Sequence, residues 1–286
     1  MRLAILVPPS EDGVEWRWAF DPQEAALRAG GIHVTEVPWT DPGDLSSFDL
    51  ISPLLAWGYH KEFDRWQALL DRLEAEKLSV INPVPVLRWN SDKAYLAELG
   101  GMGVSTVPSI AVRSIDESLL DEARERFGAD KLVIKPLVSA SAYGTHVLGP
   151  NDPLPEAVRG WRMLVQPWLE RITDAGEYSL IYFDGTFSHA VSKVPQPGEF
   201  RVQPEYGGII HRCEPPEGSL KLTEAALAAA PATCTYARVD LVVGNDGALQ
   251  VIELELIEPA LFMAEAPDSG PAFAKAMRSA VERFRK

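Results

Sequence analysis

Residues 236–257 read YARVDLVVGNDGALQVIELELI. Two apolar runs flank Gly244-Asn245-Asp246-Gly247, and that turn chemistry predicts an antiparallel hairpin. A symmetric turn sets Asp240 opposite Val251 and Arg238 opposite Glu253. Opposed residues share a face of the sheet, and side chains alternate along each strand. Arg238, Asp240, Glu253 and Glu255 are therefore expected on one face, with Leu241, Val243, Ile252, Leu254 and Leu256 on the other. Three carboxylates so placed repel one another. A like-charged pair at about 4 Å costs roughly 4 kcal/mol at an effective dielectric near 20. Such a group either raises its pKa values or recruits a cation. An all-oxygen donor set beside phosphates selects Mg²⁺ ahead of Ca²⁺. Taken alone, a Glu-x-Glu strand is a solvated acidic face. Asp240 on the same side, and Glu258-Pro259 just beyond, favour the metal reading.

Upstream of this hairpin, residues 178–183 and 186–193 flank Asp184-Gly185 and predict a second hairpin. The last 20 or so residues form an amphipathic helix. The first 85 or so residues alternate differently. Residues 3–7, 32–37, 50–55 and 78–81 are short apolar strands, and residues 22–29 and 62–77 are helices. Phe63, Trp66, Leu69, Leu70 and Leu73 fall on one helical face. Strands alternating with helices imply a parallel sheet, but no GxGxxG follows the first strand. The Pro-rich stretch 82–85 marks a first boundary and residues 161–166 a second. This gives an N-terminal α/β unit (1–88), a small central α+β unit (89–165) and a C-terminal unit built on an antiparallel sheet (166–286).

The chain has 286 residues and a formal net charge of −14. That charge repels nucleic-acid backbones and anionic lipid. No apolar stretch is long enough to span a bilayer, and residues 3–7 are too short for a signal sequence. Cys213 and Cys234 form no zinc or disulfide pattern, which fits a reduced, cytoplasmic setting. The five histidines are scattered, and no Ser/His/Asp series has catalytic spacing.

A polyanionic ligand would need local cations. Lys93 is expected to open a helix after Asn90-Ser91-Asp92, where free N–H groups favour anions. Lys135 ends an apolar strand and precedes Pro136. Ser139-Ala140-Ser141-Ala142-Tyr143-Gly144-Thr145 follows as a small-residue loop able to close over phosphates. Gln166-Pro167-Trp168-Leu169 is a hinge whose backbone could read an adenine edge. Lys193, Arg201 and Arg238 add cations to the C-terminal unit. Trp57-Gly58-Tyr59-His60 follows the third strand, where α/β sheets present ligand loops; a core aromatic cluster beside Trp66 is the simpler reading of these rings.

With these residues placed, the chain resembles the ATP-grasp superfamily, and within it the carboxylate–amine ligases related to D-alanine–D-alanine ligase, glutathione synthetase and D-cycloserine synthetase. The resemblance runs from about Trp89 to Pro259, with motifs in the family's order. It implies an ATP-grasp fold and ATP and Mg²⁺ as cofactors. It assigns Lys93, Lys135, Ser139, Ser141, Gly144, Thr145, Gln166, Trp168 and Leu169 to the nucleotide. Asp240, Glu253 and Glu255 fall to the metal, and Arg238, Arg201 and Lys193 to the reacting groups. Many members carry Glu-x-Asn where this chain has Glu253-x-Glu255. The resemblance further implies small-molecule carboxylate and amine substrates, or one molecule carrying both, and it admits a homodimer. A phosphotransferase using the same ATP site, and a nucleotide-binding protein without turnover, are the competing readings.

Overall fold

The computed structural model describes residues 1–10, 13–196 and 207–284. Within these, strands form three sheets. β1 (Arg2–Val7), β2 (His33–Pro38) and β3 (Leu50–Ser52) make a parallel sheet in the order β2-β1-β3. Alternation in β1 sends Leu3, Ile5 and Val7 to one face and Ala4 and Leu6 to the other. The first set packs with α1 (Arg17–Ala29) and α8 (Gly270–Phe284). The second packs with α2 (Phe63–Ala75), whose Trp66, Leu69, Leu70 and Leu73 are buried as the 3.6-residue period requires.

Two expectations need correction here. Residues 78–81 are not a full fourth strand but an isolated parallel bridge, Ile51 to Val80. The segment leaves the sheet because Asn82 is committed elsewhere: its amide donates to the Tyr236 and Leu256 carbonyls and its oxygen accepts from the Thr235 N–H. Helix α1 starts at Arg17, so Pro22 lies inside it rather than at its first position.

Helices α3 (Val84–Asn90) and α4 (Tyr95–Gly101) lead into a four-stranded antiparallel sheet, order β4-β7-β5-β6. Its strands are β4 (Ile110–Val112), β5 (Leu132–Pro136), β6 (His146–Leu148) and β7 (Met163–Pro167). Helix α5 (Glu117–Phe127) covers one face; Asp116 caps it by accepting the Leu119 N–H. After the single-turn helix α6 (Ile172–Ala175) comes a five-stranded antiparallel sheet, order β10-β9-β8-β11-β12. Its strands are β8 (Glu177–Phe183), β9 (Thr186–Val194), β10 (Ile209–Cys213), β11 (Tyr236–Val243) and β12 (Leu249–Glu255), with α7 (Ser219–Ala228) on the outer side. The Asp184-Gly185 turn has φ of 51° and 75° at its two residues, the left-handed pair that a two-residue hairpin needs.

The decisive hairpin forms, in a different register. Arg238 opposes Glu255 and Asp240 opposes Glu253, whereas Leu241 opposes Val251. Ile252 is thus an extra residue, a bulge that reverses the phase of β12. Val251, not Ile252, joins Val239, Leu241, Leu254 and Leu256 in the core. Ile252 packs instead with Val107, Leu169 and Val242. The four charged residues still share a face, because the bulge lies on the turn side of all of them.

Candidate active site

The bulge sets Asp240 directly across from Glu253, and one oxygen each from Asp240, Glu253 and Glu255 lies within 4.8 Å of the others. Asp240 is buried at the centre. Ser179 donates to its Oδ1 at 2.6 Å, Arg238 Nε at 2.9 Å, and Lys193 Nζ reaches its Oδ2 at 3.2 Å. The two cations beside it outweigh burial and hold the Asp240 carboxyl far below the ordinary range. Arg238 also pairs with Glu255, and its Nη1 donates to the Ala260 carbonyl at 3.2 Å. Lys93 pairs with Glu253. Burial opposes the Glu253 charge, but Lys93 and Lys135 hold its pKa down. For Glu255 burial wins, helped by Glu253 and Asp240, and its pKa is pushed up to about 8. Two further carboxylates join the group. Glu177, directly across from Lys193 in the β8–β9 pair, is ion-paired with it yet raised by burial to about 8. Glu258 is raised to about 7, mainly by burial.

Neither of these two was assigned by motif. Glu177 was legible in principle, since it shares the face of Ser179 by alternation and lies across from Lys193. The rise at Glu255, Glu177 and Glu258 shows excess negative charge in a poorly hydrated place, the condition that a divalent ion relieves. The donor set is all oxygen and fits Mg²⁺.

Lys93 reaches this cluster from a turn rather than from a helix end. α4 begins at Tyr95, and the Lys93 N–H donates to the Leu137 carbonyl at 2.7 Å. The anion site expected there from free helix N–H groups is therefore absent; Lys93 contributes its ammonium alone. Despite burial, Glu253 keeps that ammonium pKa raised. Lys135 lies near enough for burial and Lys93 to push it down to about 8. The loop after Lys135 makes successive tight turns, Tyr143 N–H to the Ala140 carbonyl and Thr145 N–H to the Ala142 carbonyl. Ser141, Ala142 and Gly144 have φ of 49°, 57° and 66°. A Cβ on Gly144 would come within 2.7 Å of Pro136 Cγ. Ser139 is buried and its hydroxyl turns back to the Pro136 carbonyl at 3.0 Å.

At the hinge, Gln166 lies within β7, and its amide donates to the Ser109 hydroxyl. The Trp168 N–H goes to the Lys131 carbonyl, and the Trp168 carbonyl accepts from Asn245. Both main-chain groups of Trp168 are thus engaged, while its ring lies under the Lys131 ammonium at 3.7 Å. Leu169 and Val242 are buried with Val107 in a small apolar cluster beside the hinge, and the partly buried Ile252 packs on it. Arg201 lies outside the described residues. The residue 57–60 loop splits: Tyr59 packs at a tilt against Trp66 in the core, whereas the Trp57 indole N–H donates to the Glu258 carbonyl at 3.1 Å.

Comparisons with known proteins agree with this fold. A family model described as the N-terminal domain of D-cycloserine synthetase DcsG matches residues 12–82. The cycloserine biosynthesis protein DcsG of Streptomyces lavendulae is 29% identical over 281 residues, spanning 88% of this chain and 90% of that protein. The crystal structure of D-cycloserine synthetase DcsG matches with a TM-score of 0.83 at 26% identity, covering 99% of this chain and 100% of that one. D-alanine–D-alanine ligase from Bacillus anthracis, complexed with ATP, has the same fold, with a TM-score of 0.71 at 19% identity over 99% of this chain and 97% of that one. Together with the carboxylate-lined sheet and the lysines beside it, this likeness along nearly the whole chain supports the carboxylate–amine ligase branch of the ATP-grasp proteins, and with it an ATP-dependent, ADP-forming ligase.

Proposed function

We propose that this enzyme joins a carboxylate to an amine through an acyl phosphate, on a small substrate that carries one or both groups. The observation that carries the reading is the convergence of Asp240, Glu253 and Glu255 opposite Lys93 and Lys135. Asp240, Glu253 and Glu255 would hold Mg²⁺, which when bound neutralises charge on the triphosphate tail. Lys93 exchanges its contact with Glu253 for phosphate oxygens, since an ammonium in so acidic a setting stays charged. Lys135 grips the phosphates from β5, and residues 139–145 close over them. The adenine would lie beside the hinge against Ile252, the partly buried member that packs on the cluster of Leu169 and Val242.

Lys193 and Arg238 stay charged between the carboxylates and stand where the transferred phosphoryl group develops charge. The substrate carboxylate attacks the γ-phosphorus and the ADP oxygen leaves. The amine then attacks the acyl carbon, phosphate leaves, and a proton is lost from nitrogen. The protein supplies alignment and charge neutralisation rather than a covalent intermediate. Likeness to D-cycloserine synthetase favours the intramolecular form, in which amine and carboxylate belong to one molecule.

The test is an acceptor screen read by phosphate release and mass spectrometry together. Ligation or cyclisation gives free phosphate and a product lighter by one water than its precursors. A stable product heavier by one phosphoryl group would overturn the ligase reading. Glu253→Gln is expected to abolish Mg-dependent turnover with the fold intact; unchanged turnover would remove the metal assignment.

A further inference from the structure

We infer that His60 and Tyr143 are positioning residues, a ring-on-ring latch through which the N-terminal unit holds the phosphate loop closed. The inference rests on residues 139–145 being that loop. Tyr143 is the single large side chain in a stretch otherwise built of Ser, Ala, Gly and Thr. It is half exposed, at 51%, and is not a core residue. Its ring centroid lies 5.6 Å from that of His60, with the planes tilted by 51°, within the range of favourable aromatic pairing.

His60 is anchored on the other side. Its ring meets Tyr59 edge-on at 6.1 Å, and Tyr59 in turn packs at a tilt against the buried Trp66. The start of the loop leans the same way, since Val138 packs against the cluster that holds Ala4, Leu6 and Trp66. Burial, with Lys61 and Lys93 nearby, pushes the imidazole down to about 4. The latch is therefore a contact between uncharged rings at neutral pH.

The arrangement has a consequence for catalysis. A small-residue loop with three left-handed positions is costly to order over a ligand. An aromatic tether to a rigid neighbour lowers that cost. The tether comes from the loop after β3, at the carboxyl end of the parallel sheet, where such folds present ligands. Closure on the triphosphate is thereby tied to the position of the wall that faces the substrate.

The test is a double-mutant cycle read by calorimetry with Mg·AMPPNP and Mg·ADP as probes. Tyr143→Ala and His60→Ala are each expected to weaken AMPPNP about five- to tenfold. The double variant should be no weaker than either single one. ADP should change by less than twofold, so the AMPPNP-to-ADP affinity ratio falls, which a general loss of folding would not produce. Tyr143→Phe should restore the ratio. Multiplying effects in the double variant, an unchanged ratio in Tyr143→Ala, or a Tyr143→Phe variant as weak as Tyr143→Ala would each overturn the latch. Lys135→Met separates the two readings. Loss of both nucleotides in that variant beside a silent Tyr143→Ala removes the latch and leaves the ATP site standing. If neither variant affects binding, the nucleotide site falls and the latch falls with it.

Discussion

Lys135 shows how one side chain can carry opposite pH dependences for stability and for binding. Burial and the Lys93 charge push its ammonium down to about 8, against about 10.4 for an unperturbed lysine. Between those values the unfolded chain binds more protons than the native one, so this residue's contribution to stability rises with pH there. Below pH 8 both states are protonated and the cost of burying the charge is paid in full. If Lys135 grips phosphate as proposed, it does so in the charged form, and nucleotide affinity runs the other way. The expected outcome is a Kd for Mg·ATP that rises about tenfold between pH 7 and pH 9, with Lys135→Arg flat across the range. A flat wild-type profile would show that Lys135 does not contact the phosphates. Glu177 makes the complementary case. It pairs with Lys193 from across the β8–β9 ladder, and Glu177→Gln would leave Asp240 as the carboxylate paired with Lys193. That variant is expected to lower turnover at least tenfold, measured by phosphate release, and to cost stability in denaturant unfolding as well, because it leaves the buried Lys193 ammonium with one carboxylate fewer.

At the scale of elements, the carboxylate strand β12 is a sheet edge that the chain has closed. β12 is the outer strand of its sheet, and an open edge is exposed to mispairing. The linker helices cover it with side chains. The Asn90 amide donates to the Leu254 carbonyl and its oxygen accepts the Leu256 N–H. The Tyr95 hydroxyl accepts the Leu254 N–H and donates to its carbonyl. Further along, Ser105 and Val107 take the main chain of Val251. These bonds fix the strand on which Glu253 and Glu255 stand, and they place Lys93, between Asn90 and Tyr95, opposite Glu253. Asn90→Ala is expected to cost about 1–3 kcal/mol by leaving the buried Leu256 N–H unpaired, measured by denaturant unfolding, and to weaken Mg²⁺ binding as well. A variant as stable as the parent would show that the edge is held by packing instead.

This edge also marks how far the sequence could be read. Period-two alternation and the GNDG turn were enough to put Arg238, Asp240, Glu253 and Glu255 on one face. The register was not legible, because the bulge at Ile252 answers to neighbours distant in the chain, Val107 and Leu169. The seat of Lys93 was misread for the same reason: Asn90-Ser91-Asp92 looks like a helix cap, but Asn90 is spent on β12. The strand expected at residues 78–81 was shortened by Asn82, whose partners lie more than 150 residues away. Local pattern disclosed the elements, and long-range polar contacts decided how they meet.

The three sheets are not equally tied together. Leu3, Ile5 and Val7 of β1 share one core with Phe273 and Met277 of α8 and with Ile181, Phe183, Val191 and Tyr236 of the C-terminal sheet. The last helix thus welds the first sheet to the third. The central sheet keeps its own cluster with α5, built on Ile115, Leu120, Leu132 and Val165, and reaches the C-terminal core through Leu137 and Leu164. A nucleotide gripped by Lys135 on one side and by the carboxylate strand on the other would bridge these unequal parts. Bound ligand stabilises by about 2.7 kcal/mol at one hundred times its Kd, or roughly 5–10 °C in Tm for a protein of this size. Mg·ATP at that excess is expected to give such a shift, and a chelator or Asp240→Asn to remove most of it. Hydrogen exchange should then slow on both sides of the cleft, at residues 132–148 and at 238–255. Protection confined to the C-terminal sheet would mean that the central sheet does not close on the nucleotide, whatever the size of the thermal shift.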